Sequence, residues 1–227
     1  MTPDAAARGN QAVTDFLAYL DVLTAARRAR PGDPAQDVLT RLMQADPSGD
    51  RLTHAELLHN CIFLLNAGHE TTTNLIGNAL VLLARHPGAR ARLLADPTLA
   101  ASTVEEVLRY ESSNQLGNRA ATAPFEIEGA AYPAGTRITL CIGAANRDPA
   151  AFPDPDTFDI ARTPNRHLAF AAGIHHCAGM SLARMEGAVA IARFLRRFPG
   201  YALSAPPTPG MRARFRGYAC IPCALDG

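Results

Sequence analysis

The chain has 227 residues, 48% of them hydrophobic, a formal net charge of +1 and no lysine among its 22 basic residues. That length allows one large domain or two small ones with a sizeable core, and the near-neutral charge gives no global pull toward nucleic acid or an anionic membrane. No run approaches the roughly 18–20 apolar residues of a spanning helix, no secretory signal opens the chain, and five scattered cysteines, at 61, 141, 177, 220 and 223, make no disulfide framework. A cytoplasmic protein with reduced thiols is expected.

In chain order, residues 13–30 carry Phe16, Leu17, Leu20 and Leu23 at helical spacing and stop at Pro31-Gly32. Residues 37–45 form a short second helix, and residues 46–50 a turn. Thr53 with Glu56 three residues on reads as a capping box. It opens a long helix to Arg85, ended by His86-Pro87. A helix of that span is about 50 Å long. Its middle is apolar all round, which predicts burial on every side. Residues 88–95 are a short helix, and Thr103 with Glu106 forms a second capping box for a helix to Tyr110.

The character then changes. Residues 125–128 and 136–141 alternate like strands around the turn Pro133-Ala-Gly135. Residues 148–164, rich in Pro and Asp, predict a long irregular loop. Residues 179–198 are helical again, with Leu182, Met185, Val189 and Phe194 on one side and Pro199-Gly200 as the stop. Residues 212–225 read as short strands. The predicted fold is mainly α with small segregated β-sheets: a helical part over 1–111, and over 112–227 a β region, loop, helix and β tail.

The sharpest segment is Phe170-Ala-Ala-Gly173-Ile-His175-His-Cys177-Ala-Gly179, directly before a helix. A Cys at a helix start meets unpaired backbone N–H groups and the positive dipole end, which favour thiolate. Thiolate is what a haem iron needs to cleave an O–O bond. Gly173 and Gly179 would let the backbone approach a flat macrocycle, Phe170 would shield the sulfur, and His175 would pair with a propionate. Alone, Cys177 reads more readily as a buried Cys in a glycine-rich turn; the whole string reverses that balance.

A second motif lies mid-helix, Ala67-Gly68-His69-Glu70-Thr71-Thr72. Gly within a helix costs about 1 kcal/mol against Ala, and consecutive Thr adds crowding. The Thr71 hydroxyl can bond the carbonyl one turn back and loosen the helix, leaving a notch with an acid and an alcohol. A kinked core helix is the alternative. A zinc-protease reading fails because position 73 is Thr73, not His. The third motif, Glu106-Val-Leu-Arg109, places two charges on one helix face, an arrangement usually worth little at a surface. Cys220 and Cys223 read as structural.

These segments together resemble the cytochrome P-450 family. The resemblance covers the chain from about Val13 to its end and matches the C-terminal portion of that fold. Ala171 departs from the pattern, since the family usually has Gly there. The resemblance implies Cys177 as the axial ligand of haem b, with Phe170, Gly173, His175, Gly179, Arg119, Ala67 and Gly68 at the cofactor. It implies that Thr71 hydrogen-bonds dioxygen, that Glu70 relays protons, and that Glu106, Arg109 and Arg162 form a buried structural lock. Asn146-Arg-Asp-Pro149 and the Arg166–Phe170 run match in order. Asn60, Leu64, Ser113, Asn114, Gln115, Leu116 and Phe215 would face a small organic substrate.

The implied activity is insertion of one atom of O2, with electrons from a ferredoxin or flavodoxin and its NAD(P)H reductase. The donor would dock near Cys177 on a face made positive by Arg166, Arg184, Arg193, Arg196 and Arg197. Family members are nearly twice this long, so an N-terminal half is expected to be absent and turnover poor. The alternatives are a haem-binding or partner-binding remnant without turnover, and a peroxide-driven haem enzyme, against which the intact Glu70–Thr71 pair argues.

Overall fold

The computed structural model describes residues 2–45 and 49–225, in two compact units, 1–69 and 70–227. Most of the turn expected at 46–50 lies outside the described residues; Gly49, within them, has φ +94°, as a turn glycine does.

In the first unit α1 spans Pro3–Ala29, α2 Val38–Leu42, and α3, His54–Arg85, begins. Helix α1 starts ten residues before the position that apolar periodicity marks. Thr2 caps it, its hydroxyl accepting from the Ala5 amide at 3.3 Å, and Pro3 supplies a pre-set first turn. The Ala-rich stretch behind them then has intrinsic helical preference without any apolar stripe. The Thr53–Glu56 box forms: the Thr53 amide donates to Glu56 at 2.8 Å and the Glu56 amide to Thr53 at 3.3 Å.

Helix α3 continues unbroken through 67–72, so the expected loosening does not interrupt it. Burial on every side is corrected: Phe63, Leu64 and Leu65 are exposed, as are residues 66–69, whereas Leu75, Ala79, Val81 and Leu83 are buried. Hydropathy reports which residues suit a covered site, not whether this chain supplies the cover.

In the second unit α4 spans Pro87–Ala95, α5 Ala100–Tyr110, α6 Ile142–Ala145 and α7 Met180–Arg197. The capping box expected at Thr103 is corrected too. Helix α5 already begins at Ala100, behind a 3-10 turn at Pro97–Leu99 whose cap is Asp96, accepting from the Thr98 amide at 3.0 Å. Thr103 is internal and bonds the Leu99 carbonyl, while Glu106 points into an ion pair.

The core joins Leu75, Ala79 and Leu83 of α3, Val104 and Val107 of α5, Ile191 and Leu195 of α7, and Tyr201. A Cβ at Gly187 would come within 3.2 Å of Leu75 and Val104, so glycine sets how closely α7 packs on α3 and α5. The core thus takes the Gly187–Ile191–Leu195 side of α7. Of the apolar side marked by Leu182, Met185, Val189 and Phe194, the first three are exposed and Phe194 packs on the core.

Among the described residues, four two-stranded antiparallel sheets complete the unit. Strand β1, Leu116–Ala120, pairs with β4, Arg137–Cys141, in the register Leu116↔Cys141. Strand β2, Phe125–Ile127, pairs with β3, Ala130–Tyr132, through a two-residue turn in which Glu128 (φ 49°) and Gly129 (φ 79°) are both left-handed. The two runs expected as strands therefore belong to different sheets. In the tail, β5, Ala202–Leu203, pairs with β8, Cys223–Ala224, and β6, Thr208–Pro209, with β7, Tyr218–Cys220. Residues 148–164 hold no helix or strand. Among the described residues no helix is long and apolar enough to cross a membrane.

Candidate active site

Cys177 is presented by a loop folded back on itself. Its amide donates to the Phe170 carbonyl at 2.9 Å, the Ala171 amide to Leu168 at 2.8 Å, and the His176 amide to Gly173 at 3.0 Å. A short 3-10 turn, Gly173–His175, lies between, and α7 starts at Met180 behind Gly179 as its cap residue. The backbone bends through two left-handed positions, Ala171 (φ 56°) and Gly173 (φ 61°). At Gly173 that conformation is free of steric cost; at Ala171 the methyl makes it cost about 1–2 kcal/mol. The residue that departs from the family pattern therefore sits where glycine has a physical reason to be.

The whole stretch 172–179 is exposed, Ile174 at 98%. An open thiol beside a bare isoleucine suits a flat, apolar partner. Nothing lies within 4 Å of a Cβ built on Gly173, and His175 is exposed on the same turn. Among the described residues no group of three or more His, Cys, Asp or Glu could hold a bare metal ion. A lone Cys ligand suits a metal that brings its own in-plane ligands, as haem iron does. Arg119, on β1, donates to the Asn118 carbonyl at 2.8 Å and has no carboxylate partner among the described residues, so it is available to an anionic group. The residues of this loop and strand fit a haem.

Behind the loop the expected charge set is closed. Glu106 and Arg109 are both 0% exposed and doubly bonded, Nε to Oε2 and Nη2 to Oε1 at 2.8 Å each. Arg162 Nε stands 3.3 Å from Glu106 Oε2. Arg109 also donates to the carbonyls of Asn146 at 3.0 Å, Pro155 at 2.8 Å and Thr157 at 3.1 Å, stitching the irregular loop to α5. Sequence reasoning missed three further members. Asn165 Nδ2 donates to Glu106 Oε2 at 3.1 Å, and the Asp159 amide donates to Glu106 Oε1 at 2.9 Å. Asn146, fully buried, takes the Leu168 amide at 2.7 Å and gives Ser112 a bond at 2.8 Å. The Asn-Arg-Asp-Pro run was the available signal for Asn146.

Glu70, on α3, pairs with Arg212, whose Nη1 lies 2.7 Å from Oε1 and 2.8 Å from Oε2. No motif announced Arg212. Thr71 follows on the same helix, half-buried, and Ala67 and Gly68 are exposed in the first unit.

The two segments expected to face substrate are brought side by side. Asn114 and Phe215 form a β-bridge, flanked by Gln115 amide to Arg214 carbonyl at 2.8 Å and Arg216 amide to Ser113 carbonyl at 2.9 Å. Ser113 Oγ and Asn114 Oδ1 are buried without a hydrogen-bond partner, two polar atoms left over for a bound molecule. Gln115 instead turns inward, its amide donating to Ser112 at 2.6 Å, and Leu116 opens β1. In the first unit Asn60 bonds back to the Glu56 carbonyl at 2.8 Å and Leu64 is exposed. A cavity of about 180 Å³ there is lined by Ala12, Val13, Phe16, Ile62, Leu65 and Asn66, and by neither Asn60 nor Leu64.

Of the arginines expected to charge the Cys177 side, Arg166, Arg193, Arg196 and Arg197 are exposed. Arg184 is corrected: it is tied to Glu105, Nε to Oε1 at 2.7 Å and Nη2 to Oε2 at 2.8 Å. Burial pushes the Glu105 carboxyl up, but the hydrogen bonds from His167 and Arg184, with the Arg184 charge, outweigh it and hold it at about 2. The cysteines are free thiols, and Cys223 packs on the core.

The profile of the family described as cytochrome P450 matches residues 2–203. Cytochrome P450 107B1 of Saccharopolyspora erythraea is 44% identical over 214 residues, 94% of this chain and 51% of that protein. The cytochrome P450 monooxygenase PikC of Streptomyces venezuelae is 41% identical over 206 residues, 90% of this chain and 49% of that one. Among solved structures, P450BioI in complex with an acyl carrier protein ligated to hexadec-9Z-enoic acid matches with a TM-score of 0.93 at 38% identity, over 100% of this chain and 57% of that one. The chain spans about half the length of the curated relatives it matches.

Proposed function

The chain belongs to the cytochrome P450 family, and on that premise we propose that it carries the haem-binding, oxygen-activating part of a monooxygenase, in which the Cys177 thiolate would hold the haem iron. The observation that carries this reading is the open Cys177 thiol on a loop with Ile174 bare beside it. Haem b, when bound, supplies an iron centre that takes up electrons and activates dioxygen.

The chain's own residues do the rest. Cys177 holds the cofactor from one side, with Phe170 beside the sulfur and Gly173 and Gly179 leaving room for a flat ring. Arg119 and His175 bind propionate carboxylates through charge-assisted hydrogen bonds. Thr71 orients the oxygen-side proton donor, and Glu70, its carboxylate held by Arg212, relays protons arriving from solvent. Ser113, Asn114, Leu116 and Phe215 face the substrate, a small organic molecule whose hydrogen-bond donor meets Asn114 Oδ1. Exposed Arg166, Arg193, Arg196 and Arg197 receive an acidic ferredoxin or flavodoxin. The setting is cytoplasmic.

A second reading has an observation of its own. Phe63, Leu64 and Leu65 on α3 and Leu182, Met185 and Val189 on α7 are exposed, and such apolar surface is normally covered. A site open to water loses reactive oxygen before transfer. On this reading the chain is a haem-binding or partner-binding remnant without turnover.

The experiment follows NADH consumed, peroxide released and product formed under 18O2, with a surrogate ferredoxin system and a substrate panel. The proposal expects product carrying one labelled oxygen, in low yield from this chain and higher yield when a polypeptide matching the other half of its relatives is added. Unlabelled product would overturn insertion of oxygen from O2, and no product even with that addition would leave the remnant reading.

A further inference from the structure

Between α5, the segment leading into the Cys177 loop and α7, three ionisable side chains meet that the haem reading does not use. Glu105 of α5 takes both guanidinium bonds from Arg184 of α7, at 2.7 and 2.8 Å. His167 Nε2 lies 3.2 Å from Glu105 Oε2, with the His167 side chain 2% exposed. The Ala169 amide points at His167 Nδ1 from 3.3 Å. Nδ1 is therefore the acceptor, and the proton on Nε2 faces the carboxylate; one tautomer satisfies both neighbours.

Both partners lie against Phe170. The Arg184 guanidinium carbon sits 4.8 Å from the centre of the Phe170 ring, and the His167 ring centre is 5.9 Å away. The Phe170 carbonyl is the acceptor of the Cys177 amide, at 2.9 Å. The other backbone bonds of the loop are the local turns Ala171 to Leu168 and His176 to Gly173, and the Met180 amide at the start of α7 donating to the Cys177 carbonyl at 3.3 Å. Upstream of Phe170, side chains tie this segment down through the Leu168 amide on Asn146, the cap residue of α6, and through His167 on Glu105 of α5.

We propose that Glu105 is a positioning residue for Cys177: by gripping His167 and Arg184, which both lie against Phe170, it fixes the carbonyl from which the Cys177 backbone hangs. Isolated surface ion pairs do little, but this carboxylate has two partners on different segments, and both touch one ring. The proposal rests on reading Cys177 as the haem ligand for its consequence, while the coupling itself concerns only protein atoms.

Amide hydrogen exchange, read by mass spectrometry over residues 170–178 of haem-free protein, tests the coupling in Glu105→Gln. Exchange there is expected to quicken about tenfold or more, the equivalent of about 1.4 kcal/mol in local opening, with the interior of α7 at 187–195 unchanged. Haem-loaded protein tests the consequence: the reduction potential rises in Glu105→Gln, and Glu105→Asp, which keeps the charge, restores part of the shift. Wild-type exchange over 170–178 in Glu105→Gln overturns the proposal. If wild-type protein shows no thiolate-type haem spectrum, the ligand reading fails, and exchange alone still decides whether Glu105 holds the loop.

Discussion

Truncating Glu106 to alanine removes the partner of a charge that has nowhere else to go. The Glu106 carboxylate takes Arg109 twice at 2.8 Å, the Asp159 amide at 2.9 Å and Asn165 at 3.1 Å, with Arg162 3.3 Å away. In Glu106→Ala the 0%-exposed Arg109 keeps three carbonyl bonds, loses its counter-charge, and leaves its Nε donor unpaired. Stranding one member of a buried pair costs about 3–5 kcal/mol, a large share of a native margin of about 5–15 kcal/mol. With a urea dependence of about 2 kcal/mol per M, the unfolding midpoint should fall by about 2 M. Thermal unfolding should fall by about 10 °C. The assay is urea unfolding followed by circular dichroism, with Arg92→Ala as the comparison, because the Arg92–Asp159 pair is exposed at 3.3 Å and worth at most about 1 kcal/mol. If both variants unfold where the wild type does, the buried-lock argument is wrong.

Two further outcomes follow from the loop and its tether. Ala171→Gly removes a left-handed alanine worth about 1–2 kcal/mol of strain and adds about 0.4–1 kcal/mol of freedom to the unfolded chain. The net gain of about 0.5–1 kcal/mol should raise the urea midpoint, and a lowered midpoint would count against the strain. Glu105 titrates at about 2 against an ordinary 4.5. Its folded-state value is depressed, so the stability it contributes is present above about pH 4.5 and is lost as pH falls from 4.5 toward 2. Urea midpoints of wild type and Glu105→Gln should therefore converge over that window; a constant gap down to pH 2 contradicts the assignment.

What the sequence disclosed was local. The Cys177 string, the Glu106–Arg109 spacing and the Thr53–Glu56 box each lie within ten residues, so spacing alone carries the geometry. What it hid was pairing at a distance. Strand β4 joins β1 across the β2–β3 hairpin, and Glu128-Gly129 is a weaker turn signal than Asn-Gly, so the sequence shows the runs at 125–128 and 136–141 but not that each pairs with another strand. Thr103-x-x-Glu106 imitates a capping box, but Asp96-Pro97 starts the turn that leads into α5. Glu105 beside Glu106 gave no hint that its partners stand 62 and 79 residues on. Apolar stripes at Phe63–Leu65 and Leu182–Val189 were legible as apolar, and their exposure was not.

The most direct measurement is the absorption spectrum of the reduced, CO-treated, haem-loaded chain. With Cys177 as thiolate ligand, the Soret band shifts strongly to the red, and Cys177→Ala abolishes that shift while the other four thiols remain. A soluble, haem-loaded wild type without the shifted band, or a Cys177→Ala variant that keeps it, contradicts the assignment of Cys177.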